Sequence, residues 1–158
     1  VDQHQNHVVD RFAAMKDVRV SALFALEHGF WGNKEAGDHV DHHFAGDIQV
    51  FSLYGPTRKP TAEMLAAIDL LVFDVQDIGA RFYTYIWSMA EALAAAAEHH
   101  IPFVVLDRPN LLGGQIMEGP ILEADCSSFI GMFPIPAGEI RNMNAGVLKQ
   151  MVPAYIGL

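Results

Sequence analysis

Cysteine is almost missing from this chain. Its 158 residues carry one, Cys126, so no internal disulfide can form and stability must come from a packed core. Basic charge is scarce too: Lys+Arg total 10 against 19 Asp+Glu, a formal net charge of −9. A surface of that sign repels phosphate backbones and lacks the basic helices that bind anionic lipid, which argues against nucleic acid and membrane-surface partners. Long hydrophobic runs are absent as well; a stretch such as 101–106 is strand-sized, and none approaches the ~18 residues that would span a bilayer. No repeat, low-complexity tract or linker appears. With 51% hydrophobic and 18% charged residues, intrinsic disorder and coiled-coil composition are excluded.

What is present suits one globular domain, 1–158. At this size roughly 68–70% of the unfolded chain's surface can be buried. The chain starts on Val1 and stops on Tyr155-Ile156-Gly157-Leu158. The expectation is a processed or truncated piece, in which missing targeting signals say nothing about destination.

Apolar runs alternate with helical patterns. Val8, Val9, Phe12, Ala13 and Met15 share one helical face. The run 18–26 reads as a strand, then a polar loop at 27–46, then a strand at 50–54 closed by Gly55-Pro56. Thr61 is placed to cap a helix over 62–68, and 70–75 and 102–106 read as strands buried on both faces. Between these two lies a helix over 84–99, with Ile86, Met89, Ala90, Leu93 and Ala97 at 3-4 spacing. A last helix is expected at 144–151. Strand, helix, strand at this spacing predicts βαβ units and an α/β fold with a mostly parallel sheet. Such sheets bind ligands outside the carboxyl ends of their strands.

Those ends are rich in chemistry. Glu27 and His28 follow the first strand; Asp74, Gln76, Asp77, Arg81, Tyr83 and Tyr85 follow the third; Asp107, Arg108, Asn110 and Glu118 follow the fourth. Polar loops also arise from ordinary turn chemistry, but three such clusters together favour a cleft.

The strings Glu27-His28-Gly29-Phe30-Trp31-Gly32, Ser52-Leu53-Tyr54-Gly55 with Arg58-Lys59-Pro60-Thr61, and the long run from Phe73 through Asp77 and Arg81 to Tyr85 carry a resemblance. Leu106-Asp107-Arg108-Pro109-Asn110 with Gly113-Gly114, and Glu118-Gly119-Pro120, carry it further. The chain resembles the exo-lytic β-N-acetylmuramidases of the NamZ type, formerly a domain of unknown function. That resemblance implies a Rossmann-like three-layer α/β/α domain lacking the family's first strand and its second, C-terminal domain. It implies release of N-acetylmuramic acid from the non-reducing end of peptidoglycan fragments, and a secreted or periplasmic location. Glu27 carries over as the catalytic carboxylate, and His28, Gln76, Asp77, Arg81, Tyr83, Asp107, Arg108, Asn110 and Glu118 as cleft residues. The chain departs from the family pattern at Leu26 and Leu111, where prolines are usual. It departs again after Pro136, where Ala137-Gly138-Glu139-Ile140-Arg141-Asn142 replaces a His-Gly-Met-Thr string.

Glycoside hydrolysis needs a proton donor and a second group facing the oxocarbenium-like centre. Glu27, beside Phe30 and Trp31, fits the donor. Asp77 is the expected second carboxylate, acting directly or by orienting the sugar's own acetamide. The lactyl carboxylate of muramic acid calls for a fixed cation, Arg81 or Arg108. Tyr83, Tyr85 and Trp31 offer flat faces to a sugar ring, whereas Phe82 and Trp87 are expected in the core.

Three other features are weighed here. Asp38-His39-Val40-Asp41-His42-His43 has metal-ligand chemistry, but a solvated loop is the favoured reading and no metal or other cofactor is expected. Gly113-Gly114 lacks the Gly-x-Gly-x-x-Gly context of a dinucleotide site. Cys126 has no nearby His to activate it. Two competing functions remain: a sugar-binding module without catalysis, and a metal-dependent hydrolase built on His39, His42 and His43. An exposed sheet edge left by missing elements is expected to favour homo-oligomers.

Overall fold

Residues 6–30, 35, 43–80, 82–110 and 120–132 are described by the structure, a computed structural model. The chain divides into two compact units, Val1–Pro56 and Thr57–Leu158.

In the first unit, helix α1 (Val8–Ala13) precedes strand β1 (Ala22–Ala25). Strands β2 (His43–Ala45) and β3 (Ile48–Ser52) follow, giving a sheet of order β1-β3-β2. β1 and β3 run parallel, with Ala22 opposite Gln49 and Ala25 opposite Ser52. Leu53 N–H extends the ladder by donating to the Ala25 carbonyl at 2.8 Å. β2 is a correction to the expected polar loop over 27–46, because its three residues pair antiparallel with β3. Gly46 and Asp47 make the two-residue connection, and Gly46 sits at φ +62°, the backbone state such hairpin turns need. Ala25 and Val50 form a small core packed by Leu23, Phe30, Ala45 and Tyr54.

In the second unit, helix α2 (Ala62–Leu65) is capped as expected: the Thr61 hydroxyl accepts from Met64 N–H at 3.4 Å. Strand β4 (Leu71–Phe73), helix α3 (Tyr85–Glu98) and strand β5 (Phe103–Val105) make a βαβ unit. β4 and β5 are parallel, with Phe73 opposite Val105. Among the described residues two of the three strand pairings are parallel, and the fold is α/β with mostly parallel strands.

Helix α3 covers one sheet face. Ile86, Trp87, Met89 and Ala90 pack with Phe73, Phe103 and Val105, and Trp87 is wholly buried. The small residues Ser88, Ala92, Ala94, Ala95 and Ala96 are buried too, so the helix is covered more widely than its 3-4 stripe predicts. After α3 the Ile101 and His100 N–H groups donate back to the Ala96 and Ala97 carbonyls at 2.8 and 3.1 Å. That closure holds His100 at φ +56°.

The expectation that 70–75 and 102–106 are buried on both faces is corrected. Leu70 is 48% exposed and Val104 39%, so the face away from α3 is partly open. Alternation explains this: Phe103 and Val105 point to the helix, and Val104 points the other way. The expected helix at 144–151 lies outside the described residues.

Candidate functional site

Register determines what meets at the exit of β1. The β1–β3 pairing offsets partners by 27 residues (Ala25 opposite Ser52, 52 − 25), which brings Glu27 beside Tyr54. The Tyr54 hydroxyl donates to Glu27 Oε1 at 2.9 Å. Leu26 to Gly29 form a tight turn in which Gly29 N–H donates to the Leu26 carbonyl at 3.0 Å. His28, the third residue of that turn, takes φ +71°, a state usually left to glycine. Local strain of this kind at a non-glycine residue clusters at functional positions. Tyr54 was not among the sequence candidates as a partner of Glu27; its place two residues past a parallel strand was the available signal.

The second unit holds a pocket at the carboxyl ends of β4 and β5. It is small, with a cavity volume of about 40 Å³, and opens to solvent. Gln76, Asp77, Asp107, Arg108 and Asn110 line it, so half of the sequence candidates meet there. Its floor is apolar: Phe73, Val75, Ile86, Met89 and Val105, with Tyr85 beside them. Parallel pairing is the cause, since both chains leave the sheet at the same end. Three links join the two exit loops. Arg108 is ion-paired with Asp74, and Gln76 Nε2 donates to the Pro109 carbonyl at 3.4 Å. Asn110 lies so close to Gly79 that a Cβ there would stand 2.4 Å from its Nδ2. Gly79, at φ +76°, is therefore held to glycine twice over.

Asp77 is the most perturbed of these groups. Its Oδ2 accepts the Gly79 N–H at 2.7 Å, while Oδ1 is buried without a hydrogen-bond partner among the described residues. Burial pushes its carboxyl above the ordinary value, and the Gly79 and Ile78 amides pull the other way. Asp107 is exposed and accepts its neighbour's amide, from Arg108 N–H at 2.9 Å.

The remaining candidates fall outside the pocket lining or the described residues. Tyr83 packs edge-on against Tyr85, centroids 5.7 Å apart at 80°. Phe82, expected in the core, is 69% exposed and is a correction, whereas Trp87 is in the core as expected. Phe82 lies in the turn that Tyr83 N–H closes on the Ala80 carbonyl, just before α3. Arg81, Glu118, Trp31, His39, His42 and Gly113-Gly114 lie outside the described residues, and of His43 only the backbone is described. Arg108, read as a fixed cation for an acid group, already has its guanidinium matched by Asp74. Among the described residues one group of metal-donor side chains converges, Glu123, Asp125 and Cys126, all exposed.

A family model described as Exo-beta-N-acetylmuramidase NamZ, N-terminal, matches residues 1–156. The chain belongs to this family. Over 130 residues it is 52% identical to a protein named Peptidoglycan beta-N-acetylmuramidase NamZ from Bacillus subtilis (strain 168), covering 81% of this chain and 31% of that relative. Two solved DUF1343 family proteins of Bacteroides fragilis NCTC 9343 are similar in fold. One has a TM-score of 0.83 at 42% identity, covering 98% of this chain; the other has 0.75 at 34%, covering 95%. Each match takes in 38% of the solved chain. The chain thus spans well under half the length of the relatives it matches.

Proposed function

We propose that the protein is a glycosidase releasing N-acetylmuramic acid from the non-reducing end of peptidoglycan fragments, working in a secreted or periplasmic setting. The observation that carries this reading is the 52% identity to a protein named as a peptidoglycan β-N-acetylmuramidase. The pocket supports it, since an apolar floor with a rim of Asp, Asn, Gln and Arg side chains suits a polyhydroxylated ring bearing small apolar groups.

Glu27 is the proposed general acid, giving its proton to the departing glycosidic oxygen, with the Tyr54 hydroxyl fixing its orientation. Asp77 is the proposed second group, meeting positive charge at the anomeric carbon or orienting the acetamide as internal nucleophile. His28, Gln76, Arg81, Tyr83, Asp107, Arg108, Asn110 and Glu118 are proposed to contact sugar.

Turnover of a chromogenic β-N-acetylmuramide by the purified protein tests this. Glu27→Gln should lower kcat by roughly 10²–10⁴-fold, the usual contribution of a positioned acid. Saturable binding without turnover, unaltered in the variant, would instead identify a sugar-binding module.

A further inference from the structure

The pocket of the second unit is too small to enclose a sugar. A buried water needs about 10–15 Å³ of such space, so about 40 Å³ holds roughly three waters and no pyranose ring. A sugar must lie across the mouth, with at most a small substituent inside. The surfaces around the mouth then decide how tightly it and its neighbour are held.

One of those surfaces is an aromatic ring left in water. Phe82 is 69% exposed, the most open of the large apolar side chains among the described residues. A single exposed apolar residue is ordinary on a protein. The place of this one is not. The chain lines the pocket at Gln76 and Asp77, leaves it, and lines it again at Tyr85. The segment between is pinned at both ends. Asp77 Oδ2 accepts Gly79 N–H at 2.7 Å, and Gly79 abuts Asn110 of the rim. At the far end Tyr83 N–H closes on the Ala80 carbonyl at 3.0 Å, and the Tyr83 ring meets that of Tyr85 edge-on at 5.7 Å. Phe82 therefore stands in a short turn anchored beside the mouth, outside the lining, with its ring open to solvent.

We propose that Phe82 is the platform for a second sugar, the ring on the leaving side of the scissile bond, which lays its C–H face on the phenyl face. This rests on the glycosidase reading above and extends it from the sugar released to the one left behind. The ring that reacts has to reach Asp77 and so occupies the mouth itself; Phe82, outside the lining, is placed for its neighbour. A phenyl ring has no hydrogen-bonding atom, so its contribution is stacking and the water it displaces. A pyranose suits that contact because one face of the ring carries C–H groups while the hydroxyls at its edge stay hydrated.

The test measures dissociation constants of the 158-residue protein for two ligands. Methyl β-N-acetylmuramide ends at the first ring; the β-linked disaccharide of N-acetylmuramic acid and N-acetylglucosamine carries both. Glu27→Gln is the background, so that neither ligand is consumed. Adding Phe82→Ala should weaken the disaccharide roughly three- to tenfold more than the methyl muramide, the size of one aromatic stacking contact. Phe82→Tyr should keep the disaccharide's advantage, and Phe82→Leu, apolar but not flat, should lose it. Equal losses on the two ligands, no loss on either, no binding of the disaccharide, or full affinity in Phe82→Leu overturns the proposal. The two readings fail separately. A selective loss in Phe82→Ala, with no hydrolysis of the disaccharide by the parent protein, leaves the platform and removes the glycosidase. Hydrolysis by the parent with equal losses does the reverse.

Discussion

His28 holds a backbone state that costs a non-glycine residue about 1–2 kcal/mol. A turn that could accept glycine keeps an imidazole next to the proposed acid. Replacing it should trade function for stability: His28→Gly is expected to raise the urea midpoint while lowering turnover of the muramide. A variant that gains stability and keeps full activity would assign the imidazole no role. Asp77 makes a second prediction, through pH. Its carboxyl is raised in the fold, so its contribution to stability is full below the ordinary value of 3.8 and is lost as pH climbs past the raised value. Asn has nothing to lose over that interval. The melting temperature of Asp77→Asn minus that of the parent should therefore be smallest in acid and grow toward neutral pH. Much of this site was legible beforehand, because strand-end position alone singled out Gln76, Asp77, Asp107, Arg108 and Asn110. The floor was not: Ile86 and Met89 read as ordinary helix core, and only the fold reveals that the same face also lines a pocket.

Among the elements, α3 was the most readable, its ends (Tyr85–Glu98) falling one residue inside the expected 84–99. Its alanine content and spacing carry a strong helical signal. Thr61 was equally plain, since an oxygen at that position has one obvious use. β2 escaped notice because three residues, His-Phe-Ala, are too short for alternation to register. The signal that could have found it was the Gly46-Asp47 pair placed directly before Ile48. Exposure of Val104 escaped for another reason: a run of apolar residues looks the same whether one or two faces are covered. Helix α3 also supplies a prediction. The bonds from His100 and Ile101 back to Ala97 and Ala96 impose a left-handed residue at His100. His100→Gly should stabilise the protein by about 1 kcal/mol, the strain relieved less the extra freedom of glycine when unfolded. Chemical denaturation at constant m-value measures it.

For the protein as a whole, the reaction proposed here runs on two carboxyl groups, with the sugar's own acetamide as the other candidate nucleophile. Dialysis against a chelator should therefore leave hydrolysis of the muramide unchanged; a loss restored by Zn²⁺ or Mn²⁺ would return attention to His39, His42 and His43. The arrangement of the β4–α3–β5 unit has a wider bearing. Its hydrocarbon interior is organised around Trp87, whereas both chains emerge onto one rim before continuing. Substitutions along that rim can alter what the pocket admits while the tryptophan-centred scaffold stays untouched. Related proteins are thus free to diversify in ligand choice at little risk to their ability to fold.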